Sequence, residues 1–192
     1  MLGRFPQTKT VTKENQAVNL DDLGPRICML GPSNSGKSTL ATAIGQAQTI
    51  PVVHLDQLRH LPGTQWELRP NDEFAGLHNA AIRRDRWILE GNYSKLLPQR
   101  LERATSLVLL DSSAAASLFR YARRTLSTRN RIGGLEGTKE RITWSMIRFI
   151  LGPGQTNKHR YRRVFEETGL PKIYLPDRHA LNLFYRQHKI QI

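Results

Sequence analysis

An α/β fold, with a parallel sheet covered by helices on both faces, is what this chain predicts, and three observations predict it. Short apolar runs alternate with helical patterns from residue 26 onward. A glycine-rich loop ending in Lys37-Ser38 stands between the first apolar run and the first helix. The runs end in carboxylates, Asp56, Glu90 and Asp111, which in a parallel sheet share one rim with that loop. Five such strands joined through helices imply right-handed crossovers.

The first strand is Ile27-Cys28-Met29-Leu30. It runs into Gly31-Pro32-Ser33-Asn34-Ser35-Gly36-Lys37-Ser38, a full match to G-x-x-x-x-G-K-[ST], and a helix opens at Ser38-Thr39-Leu40. A loop so placed wraps its amides around phosphates at the positive end of a helix, while Lys37 reaches the β and γ oxygens and Ser38 holds Mg²⁺. The residues from Gly31 to Thr39 are therefore expected to bind a nucleoside triphosphate. The ordinary alternative is a glycine-rich turn that happens to carry Lys-Ser; the strand before it and the helix after it argue against that.

The remaining elements follow in order. Ile50 to Leu55 is a short strand ending at Asp56; Asp72 to Arg84 is a helix with Asn71 as its N-cap. Trp87-Ile88-Leu89 is a strand ending at Glu90-Gly91-Asn92, and Leu96 to Arg103 is a helix. Ser106 to Leu110 is the next strand, closed by Asp111, and Ala114 to Leu126 is a helix. Beyond Gly133-Gly134 the pattern gives a helix at Ile142 to Leu151, a Gly152-Pro153-Gly154 turn and a helix from Arg160 to Thr168. The strand Lys172 to Leu175 and a last helix, Asp177 to His188, complete the chain. Residues 1–24 are polar and aperiodic, and read as a flexible arm on a domain spanning 25–192.

Composition narrows the classes. At 192 residues the chain is about one domain, large enough for a core without disulfides or metal staples. Its single cysteine, Cys28, lies inside the first strand, which fits a reducing, cytoplasmic setting. No apolar run approaches a membrane span, so no membrane partner is expected. The 29 Lys and Arg against 16 Asp and Glu leave a net charge of +13, concentrated in 120–131 and in 139–192. A polyanion, most simply DNA, would account for that surplus through phosphate contacts; solubility charge on a small basic protein is the plain alternative.

With these residues in place, the sequence resembles the adenylate-kinase-like small P-loop kinases, and especially the topology modulation (FlaR-like) proteins. The resemblance rests on the phosphate loop, His54-Leu55-Asp56-Gln57-Leu58, Leu61-Pro62-Gly63, Trp87 to Tyr93 and Leu107 to Asp111 with Arg120, Arg123 and Arg124 on the following helix. It implies a P-loop NTPase three-layer sandwich with a five-stranded parallel sheet and a helical, basic lid over about 120–168. It further implies an ATP- and Mg²⁺-dependent kinase.

Glu90 stands where such relatives carry Asp, in a run like the Asp-Gly-Phe-Pro of adenylate kinases, which implies a carboxylate that orients a water on Mg²⁺. Here the side chain is one methylene longer, and a strand-end capping role is its structural alternative. Asp56 occupies the position of an acceptor-side carboxylate, able to orient a hydroxyl and take its proton. His54 is expected to point to the opposite face. Asp111 ends its strand in the manner of a metal-binding carboxylate but lies next to the lid hinge, so Glu90 ranks above it. Arg120 and Arg124 are expected to close over the phosphates, whereas Arg123, Arg129 and Arg131 read equally well as a solvated face. Arg178 falls where related kinases pass an adenine-contacting loop. Trp144, Phe149 and Tyr161 lie among the lid arginines, either to stack on unpaired bases or as core.

Three functions satisfy these residues. The first is phosphorylation of a hydroxyl on nucleic acid, with 5-hydroxymethyluracil in DNA as the best match, since one relative with that chemistry is the phage 5-hydroxymethyluracil DNA kinase. The second is phosphorylation of a free nucleotide or small metabolite. The third is a DNA-binding ATPase that alters DNA topology.

Overall fold

Strand β1 (Arg26–Leu30) shows why the sheet has helices on both faces: Ile27, Cys28, Met29 and Leu30 have no exposed surface at all. The structure, a computed structural model, describes residues 19–125 and 144–191. The expected arm up to residue 18, and the lid segment 126–143 with Arg129, Arg131 and Gly133-Gly134, lie outside the described residues.

The other strands are β2 (Val52–His54), β3 (Trp87–Glu90), β4 (Ser106–Leu110) and β5 (Lys172–Leu175). They form one sheet in the order β2-β3-β1-β4-β5, every pair parallel, with Cys28 level with Leu89 on one side and Leu107 on the other. The period-two alternation of strands splits the apolar side chains between two cores. Ile27, Met29, Ile88, Val108 and Leu110 pack with Leu40, Ala41 and Ile44 of α1 (Lys37–Gln48) and with Phe184 and Tyr185 of α8 (Arg178–Gln187). Cys28, Leu30, Leu89, Leu107 and Leu109 pack with Ala81 and Ile82 of α3 (Asn71–Ile82), Leu97 of α4 (Leu97–Arg103) and Tyr161 of α7 (Pro153–Glu167). Each fully buried aliphatic chain contributes about 1.5–3 kcal/mol before conformational entropy is set against it. The chain thus has the α/β architecture expected of it.

From β1 the chain moves to one side for β2 and β3 and to the other for β4 and β5. The loop after β1 consequently sits at the point where the strand order reverses, where such sheets bind ligands.

Several boundaries differ from the sequence reading. β2 is only three residues long, because the chain turns at Leu55 into an unforeseen short helix, α2 (Leu55–Arg59), that carries Asp56. Pro70 rather than Asn71 is the N-cap of α3, and no side chain caps it. Pro153 and Gly154 are not a turn: the turn is confined to Gly152, and Pro153 opens α7, where its missing N–H costs nothing. Helix α6 (Trp144–Leu151) precedes it, and α5 (Ala114–Thr125) follows β4. The start of α8 is fixed by Asp177, whose carboxylate accepts the amide of Ala180 at 2.8 Å.

The end of the arm is packed against the domain. Leu23, in a single 3-10 turn (Leu20–Leu23), is fully buried, and its carbonyl accepts the Thr105 hydroxyl at 2.7 Å. In the segment expected to form a lid, Tyr161 is core, whereas Trp144 is 83% exposed; the side chain of Phe149 lies outside the described part.

Candidate active site

The loop between β1 and α1 is forced close to β4. Gly31 has φ 149°, and a Cβ there would lie 2.5 Å from the carbonyl oxygen of Leu110, so only glycine fits. Gly36 is the N-cap of α1, Ser35 N–H donates to Pro32 O at 3.2 Å, and Lys37 Nζ donates to the same carbonyl at 2.9 Å. The lysine is thereby folded back over the loop. Ser33 and Thr39 are half-buried at the loop and at the first turn of α1. Ser35 Oγ, both polar atoms of the Asn34 amide and Arg120 Nη2 are buried with no hydrogen-bond partner. Buried polar atoms of this kind cost free energy unless something pairs with them. Together with the α1 N-terminus they make a cradle whose chemistry suits a phosphate chain.

Glu90 closes the β3 end beside this loop. It is 4% exposed, and its Oε1 accepts Ser38 Oγ at 2.8 Å and stands 3.0 Å from His54 Nδ1. Burial works to raise its pKa, but the His54 and Ser38 contacts and the nearby Lys37 charge outweigh burial, and the carboxyl lies below its ordinary value. The expected direction of His54 is corrected: β2 stops at His54 and the chain turns into α2, which leaves the imidazole on the site side, against Glu90. Ser38 and Glu90 are thus one hydrogen-bonded pair. Among the described residues no group of three or more metal-ligating side chains occurs. The two side chains expected to serve a metal, Ser38 and Glu90, are brought together.

Asp56, at the start of α2, receives the hydroxyl of Tyr93 on Oδ1 at 2.6 Å. Burial, then the charge and hydrogen bond of Asp56, hold the Tyr93 phenol protonated far above its ordinary range. Phe74 packs edge-on against the Tyr93 ring with centroids 4.9 Å apart. Asn92, one residue earlier, accepts the Gly31 amide on Oδ1 at 3.3 Å. The β3 loop consequently touches both the phosphate loop and the Asp56 side.

The β4 and β5 ends carry cations. Arg120 Nε donates to the carbonyl of Asn34, which draws α5 onto the phosphate loop. Its pKa is lowered first by burial and then by Arg178 and Arg123. Three guanidinium groups therefore crowd one corner. Arg120 and Arg178 line the same pocket with Ser35, Leu110, Ser112 and Leu181. Arg124 lies on α5, and its side chain is outside the described part.

Asp111 is engaged elsewhere. It is 6% exposed, with Lys158 Nζ at 2.6 Å, Arg162 Nη1 at 3.4 Å and the Tyr174 hydroxyl at 2.6 Å. Burial and that hydrogen bond push the Tyr174 phenol up to about 12. Asp111 therefore anchors α7 to the sheet. Arg160, between Lys158 and Arg162 on α7, donates to Ser94 Oγ at 3.1 Å, so this helix contacts both the β4 end and the β3 loop.

Arg100 escaped the sequence reading. It is fully buried on α4 and donates to the carbonyls of Gly91 at 2.6 Å, of Asn92 and of Tyr93 at 3.3 Å. The available signal was its place three residues after Leu97 and four before Ala104, on the apolar face of the helix, where an arginine is out of pattern.

No protein-family model matches the chain, and no curated protein matches it. Solved structures do. A gluconokinase from Sinorhizobium meliloti 1021 superposes with TM-score 0.51 at 18% identity, covering 88% of this chain and 95% of its own. A shikimate kinase from Acinetobacter baumannii, in complex with shikimate, gives TM-score 0.49 at 15% identity over 86% of this chain and 92% of its own. A sugar kinase from Janibacter sp. HTCC2649 gives 0.43 at 15% over 87% and 94%. At these identities what the first match shows is the fold, that of the small P-loop kinases. None of these comparisons supports the narrower likeness to topology modulation proteins and DNA kinases expected from the sequence motifs.

Proposed function

We propose that this chain, built on the small P-loop kinase fold, is an ATP-dependent phosphotransferase that acts on a hydroxyl of a small molecule. The observation that carries this reading is the continuity of the β2–β3 rim. Ser38 of the phosphate loop is bonded to Glu90, Glu90 to His54, and two residues past His54 stands Asp56, oriented by Tyr93. An acceptor-side carboxylate is thus fixed beside a phosphate cradle.

In the reaction so read, the loop amides and Lys37 bind the β and γ phosphates. Asp56 orients the acceptor hydroxyl and takes its proton as the oxygen bonds to the γ-phosphorus and the bond to the bridging oxygen breaks, releasing ADP. Arg120 neutralises charge spreading over the transferred group, an effect worth roughly 10³-fold or more where an arginine serves this way. The Ser38 hydroxyl, and Glu90 through water, would hold Mg²⁺, which would supply charge neutralisation on the phosphates. Arg178, at the far side of the pocket that Arg120 lines, is assigned to the nucleoside end of ATP.

A second reading, a hydroxyl on DNA such as 5-hydroxymethyluracil, is favoured by one observation of its own. The net charge is +13, and Arg148, Arg160 and Arg163 are exposed on α6 and α7 together with Trp144. Charge of that kind serves phosphate contact, and an exposed indole serves stacking. One experiment separates the two: transfer of label from γ-labelled ATP to a panel of free nucleotides and hydroxylated metabolites, ordinary DNA and hydroxymethylated DNA. Label on a free metabolite, insensitive to salt, supports the first reading. Label confined to the polymer and lost steeply as salt rises supports the second. ATP hydrolysis with no acceptor labelled would leave the ATPase.

A further inference from the structure

Arg100 has no role in the reaction just described, yet the fold tolerates it at considerable expense. Its guanidinium is fully buried, and among the described residues no carboxylate forms an ion pair with it. Burial pulls its pKa down, and the Nε group has no hydrogen-bond partner. A buried cation satisfied by carbonyl dipoles alone is costlier than an apolar side chain of the same size. What it holds is a segment with unusual backbone geometry. Gly91 has φ 131°, with the Leu55 Cβ only 2.9 Å from where its own Cβ would be, and Tyr93 has φ 37°, a conformation that a bulky residue rarely adopts.

The side chains of that segment diverge. Asn92 Oδ1 accepts the Gly31 amide at the mouth of the phosphate loop. Tyr93 donates to Asp56 Oδ1 on the acceptor side. Burial and the Asp56 carboxylate push the phenol's pKa up, which favours the protonated form that donates to Asp56.

We propose that Asn92 and Tyr93, held in a strained loop by the buried Arg100, are positioning residues that set the distance between the phosphate loop and the acceptor carboxylate Asp56. The inference rests on the kinase reading for its acceptor arm; its nucleotide arm does not need it. In this arrangement one loop connects the two halves of the reaction, and each half depends on its own side chain.

The test separates the halves. Tyr93→Phe keeps the ring and its packing on Phe74 and removes only the hydroxyl. It is expected to lower phosphotransfer about tenfold relative to acceptor-independent ATP hydrolysis, as loss of one hydrogen bond to a charged group does. Asn92→Ala is expected to weaken nucleotide binding severalfold in a fluorescent-nucleotide titration and to change the acceptor KM less than the ATP KM. Equal losses of transfer and hydrolysis in Tyr93→Phe, or transfer unchanged, would overturn the proposal. If the wild type labels no acceptor, the kinase reading fails, and the titration still decides: unchanged nucleotide affinity in Asn92→Ala overturns the inference, and weakened affinity supports it. Arg100→Lys keeps the charge but loses the forked donors, and is expected to move both arms together. A lowered melting temperature with both arms intact in the cold would reduce Arg100 to a structural staple.

Discussion

The two sides of the phosphate loop are finished to different degrees. On the β2–β3 side every acid has a donor: Glu90 receives Ser38 and His54, and Asp56 receives Tyr93. On the β4–β5 side, cations crowd one another around Arg120, which keeps a buried nitrogen unpaired next to the orphaned Asn34 and Ser35. The first side is electrostatically complete as it stands. The second is left short of an anion, the condition expected of a surface that neutralises phosphate only when phosphate arrives.

The largest expected effect breaks the second side. Arg120→Ala should lower phosphotransfer by about 10³-fold, in the range of arginines that serve a transferring phosphoryl group. Its ligand-free melting temperature should change little, because relief of like-charge crowding offsets the lost hydrogen bond to Asn34; a large fall measured by calorimetry would show that Arg120 holds the fold. Lys37→Ala should cost at least as much in transfer and also weaken nucleotide stabilisation of the fold.

The next prediction concerns the completed side. Asp56→Asn is expected to reduce transfer about 10²-fold or more, the usual worth of a positioned base, while nucleotide titrations remain close to wild type. Asp111→Asn addresses stability: it leaves Lys158 and Arg162 on α7 without their shared anion. Both cations are partly solvated, so the expected cost is only about 1 kcal/mol, seen as a fall of a few degrees in melting temperature.

The smallest effect sharpens the contrast through pH. Glu90 lies below its reference value of 4.5 in the folded protein, so the unfolded chain binds its proton first as pH drops. The stabilisation is present above about 4.5 and is lost as pH falls through the folded-state value. Glu90→Gln should therefore flatten the acid limb of the melting-temperature profile relative to wild type; an unchanged limb would mean that the Ser38 and His54 contacts do not favour the ionised form.

Much of this fold was legible because its signals are local. The apolar runs gave five strands, with β4 and β5 at their observed ends, and the phosphate-loop pattern needs only consecutive residues. The misses were of a different kind. Asp56 sits on a helix of five residues, too short for a periodic pattern, and that helix turns His54 toward Glu90. Asn71 looked like a cap, but the fixed φ of Pro70 already sets the turn. Tyr93, Asn92 and Arg100 belong together through contacts between β3, α4 and the phosphate loop, and no spacing along the chain encodes them. The pairing of Asp111 with Lys158 and Arg162 spans some fifty residues and is equally silent in the sequence.

Cys28, at the centre of the sheet, gives the molecule a reporter of its own. It is the chain's single cysteine, it has no exposed surface, and burial pushes its thiol up. A thiol reagent can therefore react only when the layer of α3, α4 and α7 lifts off the sheet, which is an opening of the core rather than fraying at an edge. The labelling rate of the unmodified protein then reads the stability of that core. A nucleotide that binds the folded state would slow that labelling in proportion to its occupancy, so one reagent could measure affinity and unfolding in the same tube.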